Sequence, residues 1–351
     1  MTADAAASGA AAAPPAAGSR PLRRAALVSS FGVGAVAAVR RVKRERAVST
    51  VLAYHAVADS PSYASAAITV SPRAFERQMA YLAARYRVVP LGEALAARAA
   101  DDRRENLVAI TFDDGYADNL DVAVPILRKH GLTATFFVTT GPVLEGRRFW
   151  VAWVEALLRD PRTWRHAIEE FDLAESRSGD ALFDGISVVV NRLPVPEREA
   201  RLDRLARRVQ SAGLSTPETS AYMLDRVGVR RLRALGMGVG SHTVSHPILS
   251  HQDGDGVRSE LMRARAMLEE ATGAAVRHVA YPNGRGVDDN ISPEVVEHAR
   301  AVGHVGGWTS RRGLVRSGAD PLVLPRVGVD ESAGLAGFAW RLERHRRWGT
   351  A

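Results

Sequence analysis

Residues 107–139 restrict the fold more than any other stretch of the chain. Leu107 to Phe112 reads as a buried-type strand, apolar except for Thr111, Asp118 to Lys129 has helical character and stops before Gly131, and Thr133 to Thr139 is again rich in β-branched and aromatic residues. A strand without polar alternation is buried on both faces, and strand, helix, strand in that order predicts a parallel βαβ unit. Such a unit also says where chemistry belongs, because α/β folds place their sites at the C-terminal ends of the strands. Asp113-Asp114-Gly115 stands at that end. The same tripeptide also suits a plain turn whose aspartate caps the next helix.

The remainder continues the α/β rhythm with one interruption. Val48 to Tyr54 reads as a short apolar strand. Ser71 to Tyr86 reads as a helix, with Ser71 able to cap it, Pro72 in the first turn, and Phe75, Met79 and Leu82 at helical spacing. Residues 147–230 are charge-rich and poor in strand runs, with helices predicted at Val151 to Leu158 and Glu197 to Ala212, so they read as a helical insertion. Regularity returns with Leu232 to Gly240, a helix from about Gly256 to Thr272, and strands near Val276 to Tyr281 and His304 to Trp308.

The ends differ in kind. Residues 1–20 are nearly all Ala, Pro, Gly and Ser, the composition of a disordered tail. The apolar stretch Ala25 to Val39 lies between Arg23-Arg24 and a basic cluster beginning at Arg40. It falls short of the ~20 residues of a membrane span and meets arginines where a cleavable signal would show small residues. An uncleaved anchor, an interfacial helix touching a membrane surface and an ordinary packed helix all fit. The expected organisation is therefore a tail and basic-flanked apolar segment over 1–47, a main domain over 48–335, and a basic C-terminal tail over 336–351. No compartment follows from this.

The chain has no cysteine, so thiolate nucleophiles and sulfur-ligated metals are excluded and any metal must sit on nitrogen and oxygen. The net charge of +8 is spread along the chain, and no nucleic-acid partner is expected. His242 and His246, four apart in Ser241-His242-Thr243-Val244-Ser245-His246-Pro247, can face one point. Two imidazoles and one carboxylate leave coordination positions open, as catalytic metal sites do. Asp114 as ligand and Asp113 as general base would complete that chemistry.

At these residues the sequence resembles the polysaccharide deacetylase, or NodB-homology, family of carbohydrate esterases. Its first motif appears as Thr111-Phe112-Asp113-Asp114-Gly115-Tyr116 and its second as the Ser241 to Pro247 segment. The resemblance implies a distorted (β/α)7 barrel carrying the helical insertion. It implies Asp113 as base, and Asp114, His242 and His246 on zinc or a similar divalent ion such as Co, Ni or Mn. The third motif, usually Arg-x-Pro-Tyr-Gly, is represented by Ala280-Tyr281-Pro282-Asn283-Gly284, with alanine where the arginine that orients the base is expected. Arg326 is the candidate to replace it. Tyr116, Tyr281, Pro282, Asn283 and Gly284 are the expected substrate-lining residues.

The family's C-terminal histidine acid has no clear counterpart here. Tyr54-His55-Ala56-Val57 resembles the Tyr-His-x-Val segment of the circularly permuted branch, which implies His55 as general acid. Phe149, Trp150 and Trp153 read as core, with a sugar-stacking platform as the alternative. His251, His278 and His304 read as structural or surface residues. The expected activity is metal-dependent removal of N-acetyl groups from an amino-sugar polymer or oligosaccharide. A same-fold amidohydrolase on a non-sugar amide or imide, and a membrane-associated or polyanion-binding protein with a vestigial site, are the rivals.

Overall fold

A computed structural model describes residues 49–97, 107–176, 178–283 and 291–348. The tail and apolar segment expected over 1–47 lie outside the described residues. In chain order the strands are β1 (Thr50–Tyr54), β2 (Ala56–Val57), β3 (Thr69–Val70), β4 (Arg87–Val88), β5 (Leu107–Phe112), β6 (Thr135–Val138), β7 (Gly238–Ser241), β8 (His278–Ala280), β9 (Gly306–Arg312) and β10 (Leu324–Gly328).

Seven of them close into a parallel barrel in the order β1-β10-β9-β8-β7-β6-β5, with β5 returning to β1 along its whole length from Thr50↔Val108 to Tyr54↔Phe112. The barrel is distorted, as expected of this fold. β4 pairs with the start of β5 at Val88↔Val108, on the edge that β6 takes higher up at Phe112↔Phe136. β8 aligns with β7 through the single pair Ser241↔Val279, and the β9–β10 register shifts between Leu324 and Arg326. β2 and β3 form a separate short ribbon.

Side chains of a strand alternate between its faces, and here the alternation separates two layers. Val51, Ala109, Phe137, Ala280, Trp308 and Leu324 belong to one buried cluster inside the barrel. Their neighbours Leu52, Tyr54, Val108, Ile110, Phe112, Phe136, Val138 and Val327 pack outward, where Phe75, Met79 and Leu82 of the helix Pro72–Arg85 meet them. That helix starts as its sequence predicts, Ser71 Oγ accepting from the Ala74 N–H. Thr111 and Asp113 continue the inward row of β5, and Arg326 continues that of β10, so all three arrive at one end of the barrel.

The insertion joins β6 to β7. Its helices Trp150–Leu157, Trp164–Phe171, Gly179–Val190 and Val195–Ser211 enclose a core of their own around Val154, Ile186, Leu202 and Leu205. The expected helix over 118–129 is a π-helical turn, Asn119–Ala123, running into the α-helix Val124–Lys129.

The segment from 336 is not a tail where it is described. It lies in the helix Gly334–Trp348, because Phe338, Ala339 and Leu342 form an apolar stripe that buries against the helix Pro72–Arg85. The Tyr86 hydroxyl donates to Glu343 at 2.6 Å, and Arg341 donates to the Gly328 carbonyl and to Asp330. No helix among the described residues is long and apolar enough to cross a membrane.

Candidate metal centre

The first loop of the site leaves β5 at Asp113 and Asp114. Asp113 donates its backbone N–H to the Tyr54 carbonyl, and Asp114 then turns into the left-handed region at φ 75. A non-glycine residue held there is strained, which is typical of functional turns. Gly115 follows at φ 89, where an added Cβ would lie 3.3 Å from Val143 Cγ2. The second loop leaves β7, and its His246 is also left-handed, at φ 58. The two turns aim Asp114 and both histidines at one point.

His242 Nε2 and His246 Nε2 each stand 3.4 Å from Asp114 Oδ1. All three side chains are buried, and one ligand atom from each lies within 4.8 Å of the others. Asp114 Oδ1 has no hydrogen-bond partner. A buried carboxylate oxygen left without a donor but faced by two imidazole nitrogens is costly unless a cation completes it, so the donor set fits a divalent ion of the zinc type. His242 Nδ1 lies 2.8 Å from the Ala280 carbonyl, which makes that nitrogen the N–H and leaves Nε2 free to ligate. Burial opposes the charge on Asp114, yet the two facing histidines hold its carboxyl well below the usual range. Burial, against a weaker pull from Asp114, pushes His246 down and favours its neutral, ligating form.

Asp113 sits beside this trio and is gripped by Arg326. The guanidinium donates Nη1 to Oδ1 and Nη2 to Oδ2, both at 2.7 Å. Arg326 also donates Nε to the Thr309 carbonyl and Nη1 to Thr111 Oγ1, and its side chain is 2% exposed. Burial would raise the Asp113 carboxyl, but Arg326 together with the nearby His242 and His55 outweighs it and the shift is downward. The fork fixes the plane of the carboxylate and keeps it ionised. Arg326 thus comes from β10 to the position that Ala280, on β8, leaves without a guanidinium.

His55 lies at the rim, with Nε2 3.9 Å from Asp113 Oδ2 and its side chain 27% exposed. Its backbone is tied down by residues at the start of the helix expected from Asp118. Asn119 Nδ2 donates to the His55 carbonyl at 2.7 Å, and Asp118 accepts from Asn119, from the Val57 N–H and from the Tyr63 hydroxyl.

Not every expected residue reaches the centre. Tyr116 is fully buried, edge-on to Phe149, and presents no surface to a substrate. Tyr281 is also buried, packed among Leu249, Val257, Leu261 and Val295, because the inward position of β8 is Ala280 and the next residue faces the outer helices. Pro282 is buried, Asn283 is exposed at φ 50, and Gly284 lies outside the described residues. Phe149, Trp150 and Trp153 are core residues, and Phe149 meets the His246 ring edge-on at 5.4 Å.

The other flagged histidines lie elsewhere. His251 pairs with the Asn191 carbonyl, and His278 accepts from Trp308 Nε1. His304 is 4% exposed with neither ring nitrogen hydrogen-bonded, and burial, helped by Arg265, pushes its pKa down to about 4. Between pH ~6.5 and ~4 the unfolded chain takes up this proton and the native one does not, so stability falls as the pH drops, by roughly 3 kcal/mol in full. Urea midpoints at pH 7.5 and pH 5 should show a smaller acid loss in His304→Phe than in the wild type. Equal losses would remove His304 from the effect.

Comparison with known proteins bears on the family and the fold. The family profile described as polysaccharide deacetylase matches residues 100–169 and 205–305. A putative polysaccharide deacetylase of Bacillus subtilis (strain 168), YxkH, is 36% identical over 90 residues, which are 25% of this chain and only 30% of that relative's length. Among solved structures, the Streptococcus pyogenes deacetylase PplD, in complex with acetate, superposes with a TM-score of 0.56 at 18% identity, over 86% of this chain and 99% of that one. IcaB from Ammonifex degensii gives 0.55 at 22% identity, over 84% and 97%. At these identities the superpositions establish the barrel fold.

Proposed function

The chain belongs to the polysaccharide deacetylase family, and from that premise we propose that it hydrolyses N-acetyl groups on an amino-sugar polymer or oligosaccharide, releasing acetate. The observation that carries the proposal is the Arg326-gripped Asp113 carboxylate next to the convergent Asp114, His242 and His246. A divalent ion held by those three, zinc or a relative such as Co, Ni or Mn, would acidify a water and polarise the acetamide oxygen.

The chain's own groups account for the proton movements. Asp113 takes a proton from the attacking water, and Arg326 keeps that carboxylate oriented and charged. His55, on the open side of Asp113, gives a proton to the departing sugar amine. Tyr63 and Asp118 keep the His55 loop in place through Asn119. His55→Ala should lower kcat roughly a hundredfold or more while zinc content stays at the wild-type level. Near-normal turnover would remove His55 from the mechanism.

The substrate class is tested by measuring acetate released from N-acetylglucosamine oligomers against ring opening of small cyclic imides. Release from the oligomers supports the sugar reading. Turnover of the imides alone would assign the same site to a non-sugar amidohydrolase. Contact of the N-terminal basic-apolar segment with a membrane surface belongs to the same proposal and would bring the site to a surface polymer.

A further inference from the structure

The two candidate ligand histidines are not held alike. The ring of His242 is fixed by its bond to the Ala280 carbonyl, whereas His246 Nδ1 is buried without a partner. The aim of His246 Nε2 therefore depends on ring packing and on a left-handed backbone that must be kept from relaxing. Three elements grip that backbone. From the helix Gly254–Thr272, Glu260 Oε2 accepts from the N–H groups of Val244 and Ser245 at 2.8 and 2.9 Å, and its Oε1 accepts from Ser245 Oγ at 2.7 Å. From the first turn of the helix Thr140–Glu145 that follows β6, the N–H groups of Thr140 and Gly141 donate to the Thr243 and Val244 carbonyls.

The third element is the insertion. Arg198, 1% exposed on the helix Val195–Ser211, donates Nη2 to the Ser245 carbonyl at 2.8 Å and Nη1 to that of His246 at 3.4 Å. Trp150 Nε1 reaches the same His246 carbonyl at 3.4 Å, and the Arg198 guanidinium lies 5.8 Å from the centre of the Trp150 ring. A buried arginine whose fork spans two consecutive carbonyls of a ligand loop holds that loop more strongly than neutral donors would.

We infer that Arg198 is a positioning residue for the metal, with Trp150 beside it and Glu260 opposite: the insertion clamps the His246 turn from outside the barrel. On this account the insertion serves metal retention. The inference rests on the metal reading of Asp114, His242 and His246.

The test is zinc affinity by chelator competition on the full chain. Arg198→Met keeps the bulk but removes both donors, and its affinity should fall about ten- to hundredfold, as loss of a supporting partner does. Arg198→Lys retains the charge and can serve one carbonyl, so it should fall between Met and wild type. Val209→Ala, in the insertion core on the same helix, should lower the melting temperature and leave zinc affinity unchanged. Should Arg198→Met not fold, the comparison of Arg198→Lys with Val209→Ala decides in the same way. Wild-type affinity in the Arg198 variants, or an equal loss in Val209→Ala, overturns the clamp. A wild-type protein whose zinc uptake His246→Ala does not alter overturns the metal reading, and the clamp with it.

Discussion

Asp113→Asn is expected to abolish acetate release, by roughly a hundred- to ten-thousandfold in kcat, while the protein binds as much zinc as the wild type. The amide is close to isosteric but cannot take a proton from water, and loss of a positioned general base has this size of effect. Zinc should survive because the ligand trio lies on the next residue and a separate loop. The variant should also be less stable. An amide offers Arg326 one acceptor in place of two, and turns a donor towards a guanidinium that is 2% exposed. Retained turnover would show that Asp113 is not the base. Joint loss of turnover and zinc would move Asp113 into the ligand set.

His242→Ala should lose both. The imidazole supplies one of three buried donors, and its replacement leaves Asp114 with a single facing nitrogen. The expected readouts are zinc content near background at neutral pH and acetate release indistinguishable from that of chelated wild type. Since the Ala280 carbonyl also loses its partner, a small fall in melting temperature should accompany the change. Turnover that persists without bound metal would contradict the assignment.

The parts of this site that were legible in the sequence are those where local pattern and chemistry coincide. Leu107–Phe112 is apolar except for Thr111 and stops abruptly at two carboxylates, so both the strand and the importance of its end could be read. His242 and His246 were found from their spacing and the absence of cysteine. Ser71 announced its helix for a purely local reason, an oxygen placed to accept from the first turn.

What escaped depends on tertiary placement. β10 is five residues, Leu-Pro-Arg-Val-Gly, with a proline and a buried charge, so neither alternation nor strand propensity marks it. Arg326 was reached through family resemblance alone, because only barrel closure carries β10 to Asp113. The helix Gly179–Val190 ends in three β-branched valines that favour a strand, and packing in the insertion core overrides that preference. Tyr281 was expected in the groove because motif spacing does not reveal strand parity, and the inward position belongs to Ala280. Arg198 gives no local signal. It is one arginine among several on a charged helix, distinguished only by the carbonyls it meets.

In the proposed function, Asp114, His242 and His246 hold one catalytic divalent ion beside the Asp113 base. This is tested most directly by adding zinc stepwise to chelator-stripped protein while following acetate release from N-acetylglucosamine oligomers. Negligible release is expected from the stripped protein, followed by a linear rise that stops at one ion per chain. Equal release with and without zinc, or saturable zinc binding that brings no release from any acetylated sugar, would contradict it.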